Sequence, residues 1–110
     1  MGTDRMDGYV PTSHTRIDAL LTLAHVGPGD RLVDLGSGDG RVLVDARQRG
    51  ADATGIECNE ALARESAGLV LVKDFWQHDW SPYTVVFAAC SAQYRASIVS
   101  RWRALTHRDG

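Results

Sequence analysis

The sequence predicts an α/β domain built on a parallel sheet, and three observations carry that prediction. Short β-branched and aliphatic runs alternate with segments of helical periodicity along the chain. The first of these runs passes directly into a glycine loop, Gly36-Ser37-Gly38-Asp39-Gly40, and a helix follows. The second run ends on an acid, Glu57, at the spacing of about twenty residues where nucleoside-binding folds place an acceptor for ribose hydroxyls. Strand, glycine loop, helix, strand and acid together set a nucleoside-type ligand at the carboxyl edge of the sheet.

Residues 1–8 are polar and carry no periodic pattern. Ile17, Leu20, Leu21 and Ala24 then recur at helical spacing, with Thr15 and Asp18 as a partial N-terminal cap. Val26-Gly27-Pro28-Gly29-Asp30 ends that helix with turn chemistry. Residues 31–35 read as the first strand. Val42, Leu43 and Ala46 mark a short helix, which Gly50 stops. Residues 53–57 read as the second strand, 60–67 as a brief helix, 69–73 as the third strand and 84–88 as the fourth. Tyr94, Ile98, Trp102 and Leu105 share one face of a closing helix with Ser91 as its cap. Parallel strands joined in this way cross over with right-handed connections. The reversal of winding beside the first strand opens the ligand crevice at that strand's carboxyl end. No repeat or interdomain linker divides the chain, so its 110 residues are expected to form one domain.

Composition narrows the function. A net charge of −2 gives no support for DNA binding or for non-specific nucleic-acid binding. Arg95, Arg101, Arg103 and Arg108 gather near the C-terminus and read as solvated helix surface rather than a partner site. Cys58 and Cys90 are too far apart for a local metal knuckle, and the four histidines show no ligand spacing. Both cysteines are expected to be small buried residues in a reducing compartment. No apolar run is long enough to span a membrane, and the N-terminus lacks a signal-peptide pattern, so a cytoplasmic location is expected.

The loop itself distinguishes between ligands. Gly36, Gly38 and Gly40 give G-x-G-x-G, whereas a dinucleotide site needs G-x-G-x-x-G, and Arg41 stands where its third glycine would be. Asp34 and Asp39 flank the loop and would repel a pyrophosphate. No phosphate-binding lysine follows, which removes a P-loop. S-adenosylmethionine carries an ammonium and a sulfonium and no phosphate, and both cations favour nearby acids. The expected cofactor is therefore S-adenosylmethionine. The glycines admit its methionine portion without a Cβ in the way. Asp34 accepts from its ammonium, with bracing of the loop as the alternative. Glu57 accepts from the ribose hydroxyls, and Asp74 after the third strand accepts from the adenine amino group with Phe75 against the ring. Asp79-Trp80 reads as lining the same rim, with a plain core or surface aromatic role for Trp76 and Trp80 as the alternative.

Residues 9–88 resemble a class I S-adenosylmethionine-dependent methyltransferase. The resemblance is carried by Tyr9-Val10-Pro11-Thr12, by Gly27-Pro28-Gly29-Asp30, by Asp34 through Arg41, and by Gly55-Ile56-Glu57-Cys58-Asn59. In that combination the chain is similar to the small protein-lysine methyltransferases that modify the ATP synthase ring subunit and the adenine nucleotide translocase, and to their bacterial relatives. The segment from Asp79-Trp80 to Ala88 is also similar to the non-SET histone-lysine methyltransferases. The resemblance implies a Rossmann-like sheet in the order 3-2-1-4 with helices on both faces. It implies that Ser37, Asp39 and Cys58 join the cofactor site, and that Tyr9, Pro11 and Thr12 fold over the cofactor's methyl end. A full domain of this class continues for three more strands, so the chain reads as a C-terminally incomplete domain. Its fourth strand then presents an open apolar edge bearing Val85, Val86 and Phe87, which invites self-association.

The function expected on these grounds is methyl transfer to a protein lysine. A cofactor-binding domain without catalysis is the alternative, and a nicotinamide-dependent oxidoreductase is disfavoured by Arg41 and the loop acids. The Asn/Asp-Pro-Pro-Tyr/Phe motif of adenine and glutamine-amide methylation is absent after the fourth strand, where the chain reads Ala88-Ala89-Cys90-Ser91. No residue of the sequence is assignable as the catalytic base.

Overall fold

A computed structural model describes residues 12–66, 68–88 and 92–106 of the chain. Helix α1 (His14–Leu23) starts one residue before the expected cap at Thr15. Ser13 caps it instead, its hydroxyl accepting the Arg16 N–H at 3.2 Å. Asp18, the other expected cap residue, pairs with Arg49 at 2.6 Å and ties α1 to the end of α2 (Arg41–Gln48). Gly50 stops α2 as its place in the sequence predicts, at φ +89° with its N–H bonded to the Arg47 carbonyl.

The four strands are β1 (Arg31–Leu35), β2 (Asp52–Glu57), β3 (Val70–Val72) and β4 (Val85–Ala88). All are parallel, in the order β3-β2-β1-β4. This matches the order that the family resemblance implies. The third strand and α3 (Glu60–Arg64) are shorter than their apolar runs, and a 3₁₀ turn over Phe75–Gln77 follows β3.

Alternation along the strands sorts side chains onto two cores. Leu32, Ala53, Val85 and Phe87 face α1 and α2, meeting Ile17, Leu21, Val42 and Leu43. Val33, Leu35, Ile56 and Val86 face the other way, toward Trp80 and the helix α4 (Ala92–Thr106). Helices therefore cover both faces, as a doubly wound sheet requires. On α4, Ile98 is buried and Trp102 and Leu105 pack against the second core, while Tyr94 is exposed and does not join that face. The expected cap Ser91 lies outside the described residues. The arginine cluster is not uniformly solvated either. The Arg101 guanidinium lies 4.0 Å from the Trp80 ring centroid and donates at 2.7 Å to the carbonyls of Trp76 and His78.

Candidate functional site

The end of β1 and the end of β2 lie side by side, with Leu35 paired to Ile56. The chain leaves β1 into a turn held by the Ile56 carbonyl, which accepts from both Gly36 and Ser37 N–H at 2.9 Å. Gly36, Gly38 and Gly40 all take the left-handed conformation, with φ of +76°, +59° and +82°, which favours glycine at each position. A Cβ on Gly40 would stand 3.1 Å from Ser66 and 3.3 Å from Val70, so the start of α2 packs hard against the β3 side. On Gly36 the space that a Cβ would take is open.

Three acids gather around this loop. Asp34 is 3% exposed at the end of β1. Burial pushes its carboxyl up to about 7, with smaller increases from the charges of Glu57 and Asp39. The Ser37 hydroxyl lies close enough to hold that rise back, yet its geometry forms no hydrogen bond, and its oxygen is buried without a partner among the described residues. Room for Ser37 comes from Gly55 on β2, where a Cβ would collide with the Ser37 hydroxyl. Gly55 is legible only as part of the family motif, since its contact is with the loop after β1.

Glu57 is 1% exposed and already engaged. One carboxylate oxygen accepts the Gly38 N–H and the other the Asn59 N–H, each at 2.9 Å. The sequence reading gives Glu57 to ribose hydroxyls. In this structure it braces the glycine loop and the turn after β2, and only its remaining lone pairs face other donors.

Asp39 is engaged within the loop as well. Its charge is committed to Arg41, with contacts of 3.1 and 2.7 Å to the guanidinium and one of 3.2 Å to the Arg41 N–H. The Arg41 side chain holds the Asp39 carboxyl below the usual carboxylate range. The same guanidinium donates to the Thr12 carbonyl at 3.2 Å, so Thr12 is fixed beside the loop. Arg41 enters the sequence reading as the end of the family motif and as an obstacle to a dinucleotide, without a role of its own. The signal that could have found it was an acid two residues before a cation at a helix start.

Cys58 is exposed rather than buried as expected. Partial burial and then the Glu57 charge push its thiol up, with a smaller increase from Asp74. Asp74 itself caps the 3₁₀ turn, accepting the Trp76 N–H at 2.9 Å. Phe75 is half-buried among aromatics, its ring 4.9 Å from Trp76 and 6.4 Å from Trp80. Trp80 is fully buried and bonds the Phe75 carbonyl through its indole N–H at 2.9 Å, so it is a core residue. Cys90, Tyr9 and Pro11 lie outside the described residues.

The structure therefore brings together Asp34, Ser37, the three glycines, Asp39, Glu57, Cys58 and Asp74 at one end of the sheet. A cavity of about 850 Å³ lies to the side, between α1 and β4, where Thr12, Ser13, Arg16, Leu23, Phe87 and Ala88 are among its lining residues. Among the described residues no group of His, Cys, Asp or Glu is placed to hold a metal, and no helix is long and apolar enough to cross a membrane.

No protein-family model matches the chain. Among curated proteins it is 33% identical over 100 residues to a Caenorhabditis elegans lysine N-methyltransferase named for its ATP synthase target, covering 74% of this chain and 53% of that protein. It is also 33% identical over 91 residues to a protein-lysine N-methyltransferase of Saccharolobus islandicus (strain REY15A), covering 71% and 56%. The chain thus spans about half the length of these relatives. Among solved structures, an RNA methyltransferase from Salinibacter ruber in complex with S-adenosyl-L-homocysteine superposes with a TM-score of 0.72 at 34% identity. That match covers 83% of this chain and 70% of the other.

Proposed function

This chain belongs to the S-adenosylmethionine-dependent methyltransferase family, and from that premise we propose that it binds S-adenosylmethionine at the glycine loop and passes the methyl group to a protein lysine. The observation that carries the reading is the loop at the end of β1, open above Gly36 and backed by the buried acids Asp34 and Glu57. Those residues fit the cofactor. The loop has space for close backbone approach, the unpaired Ser37 oxygen offers a hydrogen-bonding group, and Asp34 offers a carboxylate to an ammonium. Glu57 holds the loop in shape and gives its remaining lone pairs to the ribose. Cys58 and Asp74 form the rim toward the adenine, and Phe75 offers only the part of its ring not taken by the tryptophans. Tyr9, Pro11 and Thr12 are assigned to the methyl end.

The cofactor supplies a methyl group on a sulfonium. When bound, it would be the electrophile for the lone pair of a neutral lysine nitrogen, its bonding pair would remain on sulfur as a thioether, and the methylated nitrogen would pass one proton to solvent. Such an in-line displacement depends on alignment. The lysine must arrive neutral, from an ordinary pKa near 10.4, which favours an acceptor desolvated at the site. The lysine assignment draws on the two named lysine methyltransferases and on the Tyr9–Thr12 motif, with the cytoplasm as the expected setting.

Calorimetry with S-adenosylhomocysteine and with NAD tests the ligand, and binding of the first alone is expected. Labelled S-adenosylmethionine with a cell lysate tests transfer, and mass spectrometry should find methyl-lysine. Label on RNA would overturn the lysine assignment and keep the methyl transfer. Binding without any transfer would leave a cofactor-binding domain.

A further inference from the structure

We propose that Arg41 is a positioning residue for methyl transfer, fastening the chain that enters α1 to the glycine loop. The proposal rests on the reading of the loop as the cofactor site. Arg41 opens α2, where the helix dipole disfavours a cation, and the first turn of α2 contains no acid of its own. A residue that breaks a local rule without an evident gain in helix stability points to a role elsewhere.

The guanidinium fork shows what that role is. Nε and Nη2 take the two oxygens of Asp39, which leaves Nη1 to reach the Thr12 carbonyl at 3.2 Å. Thr12 in turn lines the cavity that runs past Ala88. Ala88 pairs with Leu35, the residue before Gly36. One side chain therefore ties the cofactor loop to the cavity beside it, across the carboxyl edge of the sheet. An acceptor that reaches the loop through this cavity passes the Thr12–Arg41 bond. Arg41 thus fixes the wall of the acceptor's approach relative to the methyl group. It also pairs with Asp39, so Asp34 is the acid left to meet a cationic ligand.

Arg41→Lys separates these effects. An ammonium keeps the charge beside Asp39 but lacks the planar fork needed to bond Asp39 twice and Thr12 as well. In Arg41→Lys, the S-adenosylhomocysteine dissociation constant should stay within about threefold, while labelled methyl transfer to lysate protein at saturating cofactor falls roughly tenfold to a hundredfold, the scale of a small misplacement. Transfer equal to wild type, or a loss fully matched by weaker cofactor binding, would overturn the positioning role. Hydrogen exchange of the unliganded protein reads the tether without cofactor, and faster exchange over residues 12–16 is expected in the variant. Unchanged exchange overturns the tether on its own. Failure of the wild-type protein to bind S-adenosylhomocysteine would instead sink the function proposed above, and the exchange result would still decide the tether.

Discussion

Burial at the end of β1 raises the Asp34 carboxyl from 3.8 to about 7, with Ser37 opposing the rise and Glu57 and Asp39 adding to it. The folded chain then holds this proton more tightly than the unfolded chain does. Its contribution to stability is full below the unfolded value and is lost as pH rises through about 7. At about 1.4 kcal/mol per unit it is on the order of a few kcal/mol. The melting temperature should therefore fall from mildly acid to mildly alkaline pH, and Asp34→Asn should flatten that slope. An unchanged slope in the variant would remove Asp34 as its source. Cofactor affinity should run the other way, tightening as Asp34 ionises to meet the ammonium. For Glu57 the expectation is a loss without any ligand. Glu57→Ala leaves the buried Gly38 N–H without its acceptor and should cost about 1–3 kcal/mol in denaturant unfolding of the unliganded protein.

The attachment of α4 is a non-local feature among the elements. Arg101 lies over Trp80 and donates to the Trp76 and His78 carbonyls, so one side chain fixes the helix to the aromatic segment after β3. Arg101→Ala should lower stability by about 2 kcal/mol or more through lost charge-assisted bonds and ring contact, and Arg101→Lys should recover little of it. Denaturant midpoints of both variants check this. What the sequence shows of such elements depends on the range of the interaction. β1, the glycine loop, α2 and its stop at Gly50 are legible because their patterns are contained in a few consecutive residues. The Ser13 cap, two residues before the expected cap at Thr15, is lost to the ordinary imprecision of helix ends. Arg101 on Trp80, Arg41 on Thr12 and Gly55 under Ser37 join segments far apart in the chain, and no periodicity records them. Gly55 supplies a direct test of that last contact. Gly55→Ala puts a methyl where the Ser37 oxygen and Leu43 already stand, and overpacking of this kind should cost about 1–3 kcal/mol.

At the scale of the whole molecule the sheet has β3 at one edge and β4 at the other. The β4 edge is less bare than its sequence suggests, because Phe87 is buried and Val85 and Val86 are half-buried. The apolar surface nearby belongs instead to α1, where Leu23 is 77% exposed on the wall of the neighbouring cavity. We propose self-association through this edge, since among the described residues no strand pairs with the outer side of β4 and Leu23 adds an apolar rim. Sedimentation should show a concentration-dependent rise in mass, reduced in Leu23→Lys, and a monomer at all concentrations would refute it. The split of the sheet into two cores has one more effect, on what light reports from this protein. All three tryptophans, Trp76, Trp80 and Trp102, belong to the core that α4 covers, and the core beneath α1 and α2 contains none. Intrinsic fluorescence is thus a one-sided reporter. It follows the loss of the α4 face, while far-ultraviolet circular dichroism follows both, and coincident transitions by the two signals would mean that the faces come apart as one unit.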